Sequence, residues 1–260
     1  MSTPVVVIHR DAALLAQAAA ARIITALVDA QAARGSASIV LTGGGIGGAT
    51  LRELAGSPAR DAIDWSRLDI WWGDERYLPA GHPDRNETQA RDALLHAVDV
   101  DPARLHPMPA SDGPSGDDLD AAADSYAAEL AKAAQPEDHA GVPSFDLLLL
   151  GIGPDGHIAS LFPEAPALYD EERTVLAVRG APKPPPTRLS LSLRAINAAH
   201  EVWLLAAGEE KAGAVRLALS GAGTTAVPAA GARGRHATRW LLDQAAASRL
   251  PNTIARPPTA

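Results

Sequence analysis

Short runs of aliphatic and β-branched residues alternate along the chain with longer Ala/Leu-rich stretches, a rhythm that predicts strands followed by helices. Val5-Val6-Val7-Ile8 reads as a strand, and Asp11 as the N-cap of a helix ending near Gly35, with Leu14, Ile24, Leu27 and Val28 on its buried stripe. Ile39-Val40-Leu41 runs into Thr42-Gly43-Gly44-Gly45-Ile46-Gly47-Gly48 and then a helical stretch from Ala49 to Leu54: strand, glycine turn, helix. A third run, Leu68 to Trp72, ends in Gly73-Asp74-Glu75-Arg76, polar residues set where the carboxyl end of a strand opens onto a crevice. Asn86 and Gln89 form a capping box for a helix through Leu95, residues 102–116 read as loop, and residues 117–134 as an exposed, Ala-rich helix.

Phe145-Asp146-Leu147-Leu148-Leu149-Leu150 lacks polar alternation, as a strand covered on both faces of a parallel sheet does, and leads into Gly151-Ile152-Gly153-Pro154-Asp155-Gly156-His157. Thr174–Val178, Arg188–Leu193, Val202–Leu205 and Arg239–Leu242 predict further strands. Glu209–Leu219 and Asp243–Leu250 predict helices, and residues 220–234 a Gly/Ala/Thr-rich loop. The alternation gives an α/β fold: one domain over residues 1–260, doubly wound, with a mainly parallel sheet and helices on both faces.

Composition removes several classes of function. Of 260 residues, 47% are hydrophobic and 21% charged, values of a folded globular chain. The net charge is -8 and the basic residues are scattered among acidic ones, so no nucleic-acid footprint is present. There is no cysteine for disulfide or thiolate chemistry. The N-terminus lacks the order of a signal peptide, and no uninterrupted apolar run reaches the roughly 18 residues of a membrane span. The expectation is a cytoplasmic protein, a monomer or weak homo-oligomer, without membrane or nucleic-acid partners.

Two glycine patterns, Gly43/Gly45/Gly48 and Gly151/Gly153/Gly156, formally match a dinucleotide fingerprint, and two matches in one chain show how little that pattern selects. No acidic residue ends the strand after the first, where a ribose would need one, because Trp71, Trp72 and Gly73 stand there. The glycine turn reads instead as a phosphate cradle of backbone N–H groups at a helix N-terminus. Asp155-Gly156-His157 is the strongest local signal, since an imidazole exchanges protons near neutral pH and Asp155 is close enough to orient it. Ser160 lacks a glycine-flanked elbow and is not read as a nucleophile, while His82 and Asp84 offer too few ligands for a metal. No metal and no cofactor are assigned.

Together, Leu41-Thr42-Gly43-Gly44-Gly45, Trp72-Gly73-Asp74-Glu75-Arg76, His82-Pro83-Asp84-Arg85-Asn86, Gly151 through Pro163, Lys183-Pro184-Pro185-Pro186-Thr187-Arg188 and Gly208-Glu209-Glu210-Lys211-Ala212 resemble the 6-phosphogluconolactonase family over nearly the whole chain. The resemblance implies hydrolysis of 6-phosphogluconolactone, a sugar phosphate of the oxidative pentose phosphate pathway. It also implies phosphate binding by Gly43, Gly44, Gly45, Arg188 and Lys211, and catalysis by His157 with Asp155, Asp74 and Arg76 nearby. In this chain Gly45 and Ile46 stand where relatives often carry Ser and Thr.

The same superfamily includes glucosamine-6-phosphate deaminases, whose corresponding segment reads Asp-Gly-His-Ile-Ala-Phe-Asn-Glu-Pro. Here Phe162 stands in place of the glutamate and cannot relay a proton, and Arg76 stands where the deaminase has tyrosine. A deaminase, or a non-catalytic sugar-phosphate sensor, is therefore the alternative to a lactonase.

Overall fold

The computed structural model describes residues 3–251 and 254. In chain order the strands and helices are β1 (Val5–His9), α1 (Ala12–Arg34), β2 (Ala37–Leu41), α2 (Gly44–Gly56), β3 (Leu68–Trp72), β4 (Asp74–Arg76), α3 (Asn86–Ala93), β5 (Leu105–His106), α4 (Leu119–Ala133), β6 (Leu147–Gly151), β7 (Val175–Val178), β8 (Arg188–Leu191), α5 (Leu193–Ile196), β9 (Glu201–Ala206), α6 (Ala212–Leu219) and β10 (Ala237–Asp243). Seven strands form one sheet in the order β1-β10-β9-β6-β2-β3-β5. Every neighbouring pair in it is parallel.

From β2 the chain winds outward through β3 to β5, then returns to β6 and winds the other way through β9 to β10. The reversal lies between β2 and β6, whose ladder stops at Val40↔Leu148. Beyond it the strands separate, and the Gly151 N–H donates to Thr42 Oγ1 at 3.1 Å. Such a reversal leaves a crevice outside the strand carboxyl ends.

α1 follows its sequence signals: Asp11 Oδ1 accepts the Leu14 N–H at 2.9 Å, and Gly35 closes the helix at φ +79°. Its buried face is Leu15, Ala19, Ile23 and Leu27, while Leu14 and Val28 are only half-buried. By length and composition α1 is apolar enough to cross a membrane, although Gln17, Arg22 and Asp29 interrupt its apolar run. In the fold that face joins the single core cluster with Ile39, Leu41 and Leu51. In β6, Leu147 to Leu150 are all buried, as their unbroken apolarity requires.

Five local expectations change. β4, β7 and β8 form a separate antiparallel sheet in the order β4-β8-β7, since β7 returns to β8 through the loop 179–187 without a crossover helix. Asn86 does not cap α3: the buried Glu75 carboxylate takes the Asn86 and Glu87 N–H groups at 2.6 and 2.9 Å. α4 is only partly exposed, burying Leu119, Ala122, Ala123, Tyr126 and Leu130, and residues 244–249 form turns rather than a helix. β5 arises inside the expected loop, where His106 stacks on Trp71 with centroids 3.7 Å apart and lies 3.1 Å from Asp69 Oδ1 and 2.7 Å from Glu129 Oε1.

One residue joins the two sheets. The Gly73 N–H donates to the Leu41 carbonyl at 3.1 Å, and the Gly73 carbonyl accepts the Leu191 N–H at 2.8 Å.

Candidate active site

The crevice at the β2/β6 reversal is a cavity of about 380 Å³. Gly43, Gly44, Gly45, Asp74, Arg76, His157, Arg188 and Lys211 all line it, and Asp155 touches it through His157. Arg76, Lys183, Arg188 and Lys211 bring four cationic side chains to its wall against the carboxylates of Asp74 and Glu210. The local field thus favours an anion although the chain is net negative.

The glycine turn is shaped for close approach. α2 starts at Gly44 with Gly43 as its N-cap and no side-chain cap, which leaves first-turn N–H groups facing the crevice. Gly44 sits at φ +82°, where an L side chain is strained, and a Cβ on Gly43 would lie 2.0 Å from Asn86 Oδ1.

His157 is held by its own turn. Its Nδ1 lies 2.5 Å from Asp155 Oδ1, so the Nδ1–H donates to the carboxylate and Nε2 is left as the acceptor. Burial works to raise Asp155, but the His157 hydrogen bond and charge and the backbone N–H groups outweigh it and hold the carboxyl at about 2. The Gly153 N–H closes the turn on the His157 carbonyl at 2.9 Å, and Gly156 turns the chain at φ +86°. Residues of the 220–234 loop brace it from outside: the Ala229 N–H donates to the Gly156 carbonyl at 3.0 Å, and a Cβ on Gly156 would strike Val227 Cγ1.

The opposite wall comes from β4. Asp74 is 7% exposed, and Asn86 Nδ2 donates to its carbonyl at 2.8 Å and to its Oδ1 at 3.1 Å. The Ser160 hydroxyl donates to Asp74 Oδ2 at 2.7 Å. Beside it, burial pushes the Glu75 carboxyl up to about 7 against the pull of Arg85 and three backbone N–H groups. Arg76 donates through Nη1 to the Asp84 carbonyl at 2.5 Å, and its buried Nε finds no protein acceptor.

Arg188, directly opposite Arg76 in the β4–β8 ladder, is 5% exposed. Its Nε and Nη2 donate to the Pro185 and Lys183 carbonyls at 3.1 and 2.9 Å, so it braces the loop that carries Lys183 as well as lining the cavity. Burial lowers the pKa of Lys211, with Glu210 acting in the other direction. His82 Nδ1 accepts the Asp84 N–H at 3.1 Å, a loop contact. Among the described residues no group of three or more His, Asp or Glu is placed to hold a metal ion.

Residues 10–240 match the family described as glucosamine-6-phosphate isomerases/6-phosphogluconolactonase. The chain belongs to this family. A 6-phosphogluconolactonase of Streptomyces coelicolor is 66% identical over 99% of both chains, and one of Mycobacterium tuberculosis is 52% identical over 94% of this chain and 98% of its own. The solved 6-phosphogluconolactonase from Trypanosoma brucei superposes with a TM-score of 0.84 at 29% identity, covering 95% of this chain and 99% of its own.

Within the glucosamine-6-phosphate isomerase/6-phosphogluconolactonase family, Phe162 has a definite place here. Its ring centroid lies 4.5 Å from that of His157, and the Arg188 guanidinium sits 5.6 Å from it. An apolar ring therefore packs on the imidazole where the deaminase pattern puts a carboxylate. Reading the sequence missed Asn86, Lys183 and Glu210 in the lining, and Ser160 as a partner of Asp74. All four stood inside motifs already singled out, where nothing in the local sequence gave them these contacts.

Proposed function

We infer that the chain hydrolyses the lactone of 6-phosphogluconolactone to 6-phosphogluconate, the activity named for its full-length relatives. The observation that carries this reading is that the His157–Asp155 pair and the uncapped glycine turn open into one cavity, beside Lys211. A phosphate on the Gly43–Gly45 turn accepts from backbone N–H groups and from Lys211, with Arg188 adding charge; a charge-assisted hydrogen bond contributes about 1.5–3 kcal/mol.

His157 Nε2 takes a proton from water as the water oxygen attacks the lactone carbonyl carbon. A positioned base contributes about 10²–10⁴ in rate. Arg76 faces the developing oxyanion, where one donor contributes about 10²–10³. Collapse of the tetrahedral intermediate breaks the bond to the ring oxygen, which receives the proton from His157, and the new acid ionises. Asp155 holds the tautomer throughout, and Asp74 orients the substrate from the β4 wall.

The absence of cysteine and the packing of α1 into the core support a cytoplasmic setting for this sugar-phosphate chemistry. The test is proton release from freshly generated 6-phosphogluconolactone with spontaneous opening subtracted. His157→Asn is expected to fold normally and lose at least about 10²-fold in turnover; unchanged activity removes His157 as the base. Ammonia release from glucosamine 6-phosphate would instead favour the deaminase reading, which Phe162 opposes.

A further inference from the structure

We propose that Ser160 is a positioning residue that fixes Asp74 as a permanent hydrogen-bond acceptor, and that this bond sets the lactonase site apart from the deaminase pattern. The proposal rests on the hydrolytic reading of the site.

Ser160 is fully buried, and nothing about its surroundings makes it a nucleophile. Its N–H donates to Ser190 Oγ at 3.1 Å, and the Ser190 hydroxyl donates onward to the Leu191 carbonyl at 3.0 Å. That pair leaves the Ser160 hydroxyl proton for Asp74 Oδ2, 2.7 Å away. The other carboxylate oxygen receives Asn86 Nδ2–H at 3.1 Å. Asn86 is itself fixed, its backbone N–H bound to Glu75 and its amide to the Asp74 carbonyl.

A carboxylate that accepts at both oxygens from two immobile donors has only acceptor capacity left for the cavity. Asp74 presents its remaining lone pairs to the cavity, where they take a hydrogen bond from a substrate hydroxyl or from water. Lactone hydrolysis as written above asks for no second proton donor, whereas moving protons along a sugar chain does. The deaminase segment carries phenylalanine at the position of Ser160, and a phenyl ring cannot donate. One hydroxyl on the turn that carries His157 therefore also dictates what the carboxylate across the crevice can do.

The experiment is a double-mutant cycle of Ser160→Ala and Asp74→Asn, read as kcat/KM on 6-phosphogluconolactone. Ser160→Ala alone is expected to lower kcat/KM by about 10- to 100-fold, the equivalent of one hydrogen bond to a charged group. In the Asp74→Asn background it should add less than about twofold, because its effect passes through that carboxylate. Ser160→Cys keeps the volume but donates poorly, so it should resemble the alanine variant. Additive losses, a cysteine variant equal to wild type, or an Asp74→Asn protein with full activity would each overturn the proposal. The same cycle on affinity for 6-phosphogluconate, by calorimetry, decides the assignment even if the wild-type protein shows no turnover, an outcome that would sink the hydrolytic reading alone.

Discussion

Replacing Gly153 by alanine tests the His157 turn more sharply than replacing the histidine. A Cβ built on Gly153 lies 2.0 Å from His157 Nδ1 and 2.3 Å from Asp155 Oδ1, short of an ordinary 3.4 Å contact by 1.4 Å for the imidazole. Gly153 has no positive φ, so the backbone accepts alanine and the strain falls on the two side chains. The imidazole and carboxylate must move together or part, and displacement of a reacting group by about 1 Å costs on the order of 10²-fold in rate. Gly153→Ala is therefore expected to lower kcat about 100-fold while KM, set largely by the phosphate subsite, stays within about threefold. Steady-state proton release measures both, and circular dichroism checks that the fold persists. A folded alanine variant with wild-type kcat would refute the placement of the Asp155–His157 pair as the catalytic dyad.

Two further outcomes follow from the structure. Lys211→Ala should raise KM chiefly, with kcat little changed, because the ammonium grips phosphate in ground and transition states alike; initial-rate kinetics decide it. For His106, burial works to lower the pKa, but hydrogen bonds and charge from Asp69 and Glu129 outweigh it and raise it to about 9. A cation stabilised only in the folded state adds stability that is fully present below the unfolded value of about 6.5 and is lost as pH rises through about 9, at most about 3 kcal/mol. Urea unfolding of wild type between pH 6 and 10 should show that loss, and His106→Gln should flatten it.

The parallel half of the fold was legible because buried strands such as Leu147–Leu150 and caps such as Asp11 and Gly35 act through residues close in sequence. The antiparallel sheet was not, since its pairing of Arg76 with Arg188 joins segments that carry no mark of each other. Asn86 misled for a related reason: it has the chemistry of a cap, but the distant Glu75 is the stronger acceptor for those N–H groups and leaves its amide to hold Asp74. Within the site, the glycine turn and Asp155-Gly156-His157 announced themselves through local geometry. Ser160 did not, because its function depends on a partner 86 positions away in the chain. The loop 220–234 looked featureless for the same reason, although Val227 and Ala229 brace the histidine turn.

Gly73 gives the crevice its mechanical character. The anion cradle and the imidazole grow from one sheet and Asp74 and Arg76 from the other, and that glycine's N–H and carbonyl are both spent on linking β2 of the first to β8 of the second. The spacing of the two walls is consequently tied to main-chain hydrogen bonds at this one residue. A side-chain substitution in either wall therefore leaves both walls anchored to the same peptide, and what it changes is the chemistry of the crevice before its width.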